Sequence, residues 1–262
     1  MKSRRERVKQ FDVAAERYER SRPSYPDDVI DDILGPSPRH LSVLDVGCGT
    51  GIASRLMAKR GARVLGVDVS AGMAKVAERH GIPTEVAAFE TWDPAGRTFD
   101  RVTSAQAWHW LDPVVSAEKA ASILRPGGRL CLFWSVGHHS DDLADALQAA
   151  YRRVLPPGSP RLTIGYAVNR ASDLPAADFT VVTQAPRAFR KLKEQSIKLF
   201  PWSQTYTRDR WLEQLRSHTD HAALPDEVRE RLFEEIGDTV DRFGGEFRMA
   251  YTTVLISAEV AG

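Results

Sequence analysis

Val43-Leu44-Asp45-Val46-Gly47-Cys48-Gly49-Thr50-Gly51 decides the reading of this chain. Val43 to Val46 form a short apolar run bearing one acid, the pattern of a strand buried on both faces. Three alternate glycines follow, and then Ala53, Leu56 and Met57 recur at helical spacing. A strand, a glycine turn and a helix in that order have a direct physical meaning. The glycines let the chain reverse sharply and let its backbone approach a ligand closely. The helix start adds unpaired N–H groups and a positive dipole end, which suit a phosphate or a carboxylate.

Outward from that loop, the chain alternates strand and helix with little slack. Val64 to Val69 is the next strand, Ser70 caps a helix that stops at Gly81-Ile82-Pro83, and further strands are expected at Thr84–Ala88 and Phe99–Ser104. A helix from Pro113 to Leu124, a turn at Arg125-Pro126-Gly127-Gly128 and a fifth strand from Arg129 to Ser135 complete the regular part. Such alternation implies right-handed crossovers. The expected fold is α/β, a doubly wound, mostly parallel seven-stranded sheet with an N-terminal helical segment and a helical insertion before the last strand.

The flanks are less regular. Val8, Phe11, Ala15 and Tyr18 mark an N-terminal helix that Pro23 and Pro26 must end, and Asp27 to Leu34 forms a second. Beyond residue 136, helices are expected at about Leu143–Val154, Arg208–Arg216 and Pro225–Phe243. Strands are expected at Phe179–Val182 and Phe247–Val260. The reading is one domain over residues 1–262: a cap at 1–40, a core at 41–136, and completing elements at 137–262 with the insertion at about 191–245.

Composition bounds the function. The 262 residues carry 36 basic and 35 acidic side chains, a net charge of +1, so no overall field draws the molecule to nucleic acid or an anionic membrane. The basic run Arg187–Lys193 lacks interleaved aromatics and reads as a solvated strand end. Hydrophobic residues at 42% and charged residues at 27% are ordinary for a globular chain. Cys48 and Cys131 have no metal-ligand spacing and fit a reducing compartment. The basic start, MKSRRERVKQ, is not followed by an apolar segment, and no run of 18 apolar residues occurs. The expectation is a cytoplasmic protein without metal, nucleic-acid or membrane partners. Its oligomeric state is left open.

Two glycine-loop chemistries do not fit. The dinucleotide fingerprint needs glycine at its sixth position, where Ile52 stands, and this disfavours a nicotinamide oxidoreductase. A P-loop needs Lys-Ser or Lys-Thr, and neither follows. Instead VLDVGCGTG (Val43–Gly51) with GVDVS (Gly66–Ser70), FDRV (Phe99–Val102) and LRPGGRL (Leu124–Leu130) resembles the class I S-adenosylmethionine-dependent methyltransferases over about Leu41–Ser135. The opening FDVAAERYERSRPSYP (Phe11–Pro26) and SAQAWHWLD (Ser104–Asp112) are similar to the small-molecule branch that includes trans-aconitate methyltransferases.

The resemblance implies S-adenosylmethionine as cofactor and methyl transfer to an oxygen or nitrogen of a small-molecule acceptor. The alternative is a non-catalytic methyltransferase-like domain that binds the cofactor as a regulator or partner subunit. Asp45 would hold the amino group of the methionine tail, directly or through water. The amides from Gly47 through Cys48 and Gly49 to Gly51 would line the ligand. Asp68 would accept the ribose hydroxyls. Val69 and Met73 would flank the adenine, with Ala88, Phe89 and Glu90 at its edge, while Ala105 and Gln106 face the crevice and complete the cofactor site. Tyr18, Arg22 and Tyr25 would reach the methionine carboxylate or an acidic acceptor. Each of these also has a plain reading as core packing, a helix cap or a solvated face.

His109, between Trp108 and Trp110, is the candidate general base, with substrate hydrogen bonding and simple packing as its alternatives. Trp134, His138 and Pro201–Tyr206 are candidates for the acceptor pocket.

Overall fold

The computed structural model describes residues 12, 15–157, 159, 192–218 and 221–260. A helix at residues 15–21 (α1) and a second at Asp27–Leu34 (α2) precede the sheet. There follow β1 (Ser42–Val46), α3 (Ile52–Lys59), β2 (Arg63–Asp68), α4 (Ala71–Arg79), β3 (Thr84–Val86) and β4 (Phe99–Ala105). A 3-10 turn at Trp108–Trp110 leads to α5 (Pro113–Ile123), β5 (Leu124–His138) and α6 (Asp141–Val154). The described chain closes with β6 (Leu192–Thr207), α7 (Arg208–Arg216), α8 (Asp226–Arg242) and β7 (Glu246–Val260).

Local chemistry sets these boundaries. Ser70 Oγ accepts the Met73 amide at 3.1 Å and starts α4. Asp112 Oδ1 takes the amides of Val114 and Val115 at 3.0 and 2.9 Å, ahead of Pro113 in the first turn of α5.

The seven strands form one sheet in the order β3-β2-β1-β4-β5-β7-β6. The first four pairings are parallel, but β7 runs antiparallel to both β5 and β6. The sheet is therefore mixed, which corrects the expectation of a mostly parallel one. The cause is where the late helices lie. β6 ends at Thr207 opposite Glu246, where β7 begins, so α7 and α8 bridge two strand ends at the same edge. A chain entering there must run back along its neighbour, because a parallel return needs a crossover to the opposite edge.

Two further differences concern strand limits. The expected turn at Arg125–Gly128 lies within β5, as an irregularity where pairing jumps from Phe99↔Leu124 to Arg101↔Arg129. The expected helical insertion opens with the sixteen-residue strand β6. Pro201 is accommodated because β6 is an edge strand and needs to donate on one side only. The strand expected at Phe179–Val182 lies outside the described residues.

Three apolar clusters hold the elements. Leu44, Val46, Val102 and Leu132 pack on α5 from one sheet face, and Val43, Val64 and Phe133 pack on α2 and α3 from the other. Each fully buried aliphatic side chain contributes about 1.5–3 kcal/mol. A separate cluster around Tyr206, Trp211, Phe233 and Tyr251 joins α6, α7 and α8 to the ends of β6 and β7. Strand order reverses at β1, with β2 on one side and β4 on the other, and the carboxyl ends of the strands at such a point are the usual ligand position.

Candidate functional site

The glycine loop links β1 to α3 with Gly47, Gly49 and Gly51 all left-handed, at φ 66°, 57° and 82°. Gly47 has a second reason to be glycine: a Cβ there would lie 2.5 Å from the Ala107 Cβ, so the β1 and β4 loops could not close on each other. The loop amides turn inward. Gly47 and Cys48 donate to Val67 O at 2.8 and 3.4 Å, Gly49 to Asp68 Oδ2 at 2.9 Å, and Gly51 to Cys48 O at 2.9 Å. Four of the five loop amides are therefore taken within the protein.

Asp68 closes β2 and ties three segments together. Its Oδ2 takes the Gly49 amide and its Oδ1 takes the Ser70 amide at 2.8 Å. A carboxylate has about four lone-pair sites, so each oxygen keeps capacity for a ligand hydroxyl. Burial raises its pKa above the ordinary carboxylate value, and the two amide hydrogen bonds oppose that rise.

A cleft of about 140 Å³ opens beside this carboxylate. Val46, Gly47 and Gly49 form its floor, with Asp68, Val69 and Met73 on one side and Ala87 and Phe89 beyond them. Ala105, Gln106, Ala107, Trp110 and Leu111 make the facing wall, and Tyr18 reaches in from α1. The lining is largely apolar with a few polar groups, the character of a small-molecule site.

Of the residues expected at the site, Tyr18, Gly47, Gly49, Asp68, Val69, Met73, Phe89, Ala105 and Gln106 line the cleft. Arg22, Asp45, Cys48, Gly51, Ala88, Glu90 and His109 are not among its lining residues. Asp45 is 0% exposed, its oxygens taken by Ser54 Oγ at 2.5 Å and Thr103 Oγ1 at 3.1 Å, and burial pushes its pKa up to about 6. Gly51 caps α3, and Cys48 is a buried free thiol whose pKa burial raises further. Glu90 Oε1 accepts the Asp112 amide at 3.3 Å, which ties the turn after β3 to the start of α5.

Val46, Ala87, Ala107, Trp110 and Leu111 line the cleft without having been singled out. Val46 and Ala107 adjoin residues that were. Ala87 takes the place expected for Ala88 because β3 ends at Val86 and the Ala87 amide bonds Asp68 O at 2.9 Å. Trp110 carries the clearest signal, a large apolar side chain left 47% exposed.

His109 Nδ1 accepts the Trp134 indole N–H at 3.3 Å, and its ring lies 4.7 Å from that of Trp110. Desolvation by these surroundings holds its pKa below the usual imidazole value. In the neutral ring, an Nδ1 that accepts the indole N–H leaves the proton on Nε2. His138 is buried, and Trp202 stacks on Tyr251 with centroids 4.4 Å apart. The Tyr206 hydroxyl meets that of Tyr251 at 2.8 Å. None of these, nor Trp134, lines the cleft.

The N-terminal segment seats on α4. Asp12 Oδ1 accepts Ser70 Oγ at 2.6 Å and the Gly72 amide at 2.9 Å, and Glu16 pairs with Arg79. Ala15 and Tyr18 pack on Met73 and Val76. The Arg22 guanidinium lies over the Tyr18 ring at 4.8 Å, and its Nε is buried without an acceptor among the described residues. Among those residues no cluster of three metal-ligating side chains occurs, and no helix is long and apolar enough to cross a membrane.

Residues 44–132 match the model of a methyltransferase domain family. An uncharacterized methyltransferase of Mycobacterium tuberculosis (strain ATCC 25618 / H37Rv) is 41% identical over 136 residues, 51% of this chain and 55% of that protein. A ubiquinone biosynthesis O-methyltransferase of Idiomarina loihiensis is 40% identical over 96 residues, 34% of this chain and 40% of its own length. The chain thus spans about half the length, or less, of the curated relatives it matches. A solved structure of a candidate type II methyltransferase from Anaeromyxobacter dehalogenans aligns with TM-score 0.64 at 20% identity, over 92% of this chain and 98% of that one. Phosphoethanolamine N-methyltransferase 2 of Haemonchus contortus, solved with phosphomonomethylethanolamine and S-adenosylhomocysteine, aligns with TM-score 0.53 at 15% identity, over 96% of this chain and 58% of that one. At these identities the two structures share the fold.

Proposed function

We propose that this chain, whose residues 44–132 match a methyltransferase domain family, is an S-adenosylmethionine-dependent methyltransferase acting on an oxygen or nitrogen of a small molecule. The observation that carries the reading is Asp68. It is a half-buried carboxylate at the carboxyl end of β2, fixed by two amides on one side and bordering an apolar cleft on the other. A ribose offers hydroxyl donors to such a group. Val69, Met73, Ala87 and Phe89 give an apolar slot suited to a flat base.

The residues present fit that cofactor. Gly49, with nothing within 4 Å of where a Cβ would stand, admits a close approach, and the Arg22 guanidinium beside Tyr18 is the cation we assign to the methionine carboxylate. When bound, the cofactor supplies a methyl group already activated as a sulfonium. The chain's own task is then to orient the acceptor and exclude water. Phe89, Trp110, Leu111 and Tyr18 supply apolar walls for that purpose. His109 adds no proton acceptor to the lining, so a nucleophile that needs a strong base is poorly served.

The test is incubation with methyl-labelled S-adenosylmethionine and a panel of small phenols, amines and carboxylates. Acceptor-dependent release of S-adenosylhomocysteine is expected. Cofactor binding with no acceptor-dependent release from any member of the panel would replace the enzyme by the non-catalytic reading.

A further inference from the structure

Gln106 is the first residue after β4, and its backbone is left-handed at φ 58°. His40 and Ala95 share that conformation among the described non-glycine residues, but both sit in connecting turns and neither lines the cleft. A strained residue held at the mouth of a crevice points to function when its surroundings fix it firmly. Here they do. The Gln106 amide donates to Phe133 O at 3.0 Å, and its side-chain Nε2 donates to Ser135 O at 2.9 Å. Ser135 is itself anchored: its Oγ meets Thr253 Oγ1 at 2.8 Å, and that oxygen accepts the Trp202 indole N–H at 2.9 Å. Strands β5, β7 and β6 thus hold one side chain in one orientation.

With the nitrogen engaged, Oε1 is the end of the amide left for the cleft that Gln106 lines, and no donor among the described residues reaches it. It can accept a hydrogen bond but cannot take up a proton at neutral pH. Tyr18 and Asp68 are the titratable side chains among the described residues lining the cleft, and Asp68 already serves Gly49 and Ser70.

We propose that Gln106 Oε1 receives the N–H of an amine acceptor, so that this cleft methylates nitrogen. The proposal rests on the methyltransferase reading above and goes further by naming the acceptor class. An amine arrives mainly as its ammonium; once it has lost that proton to solvent it carries a lone pair and a hydrogen on the same atom, so it meets Oε1 and the methyl group together without a base in the lining. A carboxylate or phenolate presents lone pairs only and would oppose Oε1. An alcohol would need deprotonation, for which the lining has no poised base. In the step itself the nitrogen lone pair forms the N–C bond as the C–S bond breaks. The positive charge passes from sulfur to nitrogen, and the ammonium product loses its proton to solvent.

The test uses Gln106→Gly, which suits the left-handed backbone while deleting the amide, and Gln106→Asn, which tolerates that backbone and keeps an amide on a shorter stem. S-adenosylhomocysteine affinity is measured calorimetrically. Benzylamine, phenethylamine, putrescine and glucosamine are then assayed as acceptors, with benzyl alcohol and benzoate as matched controls. At least one amine is methylated in preference to both controls. Gln106→Gly keeps S-adenosylhomocysteine affinity within about twofold while lowering kcat/KM for that amine about tenfold, and Gln106→Asn restores part of it. Binding to the wild type with no amine methylated, or with benzyl alcohol or benzoate preferred, overturns the proposal and leaves the methyltransferase reading standing. A large loss of S-adenosylhomocysteine affinity in Gln106→Gly also overturns it, by placing Gln106 on the cofactor. Absence of binding to the wild type takes down both.

Discussion

Asp68 Oδ2 accepts the Gly49 amide over 2.9 Å, so the carboxylate at the end of β2 fixes the middle of the glycine loop that begins after β1. The same side chain holds the Ser70 amide at the start of α4. Asp68→Ala leaves both amides without their acceptor and is expected to destabilise the fold by about 1–3 kcal/mol. Asp68→Asn, which retains one carbonyl oxygen, should cost less. Urea denaturation of the three proteins measures the difference, and equal midpoints would mean that the loop does not depend on this contact.

Asp45 gives a pH signature. Burial raises its pKa from 3.8 to about 6, against the opposing hydrogen bonds of Ser54 and Thr103. The folded state therefore holds this proton more tightly than the unfolded chain does. Between about pH 4 and pH 6 the folded form binds more protons, so this group's contribution to stability falls as pH rises, by about 2–3 kcal/mol at most. Asp45→Asn removes that dependence. Denaturation midpoints across this window should converge toward low pH and separate toward pH 7 when wild type and variant are compared. Parallel curves would contradict the assignment.

Gly72 is the notch in which the N-terminal segment rests. A Cβ there would lie 2.6 Å from the Asp12 carbonyl oxygen and 2.7 Å from its Cα. Replacing glycine by alanine inside a helix ordinarily gains about 0.5–1 kcal/mol. Gly72→Ala should instead displace the segment that carries Tyr18 into the cleft wall. Faster tryptic cleavage at Arg17 or Arg20, together with weaker S-adenosylhomocysteine binding, is the expected outcome. Unchanged cleavage would show that the segment accommodates the methyl group.

His109→Ala should leave S-adenosylhomocysteine affinity within about twofold, since the ring stands outside the cleft lining against Trp134 and Trp110. A tenfold loss by calorimetry would place His109 on the cofactor after all.

How far the sequence led depended on how local each determinant is. β1, β2, β4 and α3 to α5 were legible because their boundaries carry their own chemistry: the glycines after Val46, the Ser70 cap, and Asp112-Pro113. The course of β7 was not, because it depends on which strand ends α7 and α8 join, and no residue in β7 records that. β6 was hidden for another reason. As an edge strand it leaves Ile197 and Leu199 61% and 58% exposed beside Lys198, and Pro201 interrupts it, so the buried-strand pattern is absent.

The site divides in the same way. Asp68, Gly47 and Gly49 were readable from spacing, whereas Val69 and Met73 came only with the resemblance to the methyltransferases. Asp45 looked equally promising in the strand, yet Ser54 and Thr103, distant in sequence or a turn away, draw it behind the loop. Trp110 and Leu111 line the cleft because the 3-10 turn folds them back toward β3, a rotation that the letters Trp-His-Trp leave open.

The central claim is a nucleoside cofactor held at Asp68, and calorimetric titration of S-adenosylhomocysteine into the wild type and Asp68→Asn tests it most directly. Micromolar binding that weakens in the variant by about 1–3 kcal/mol, the cost of losing charged acceptor capacity at a half-buried site, is the predicted result. Equal affinity for both proteins would remove Asp68 from the site, and no binding to the wild type would contradict the account as a whole.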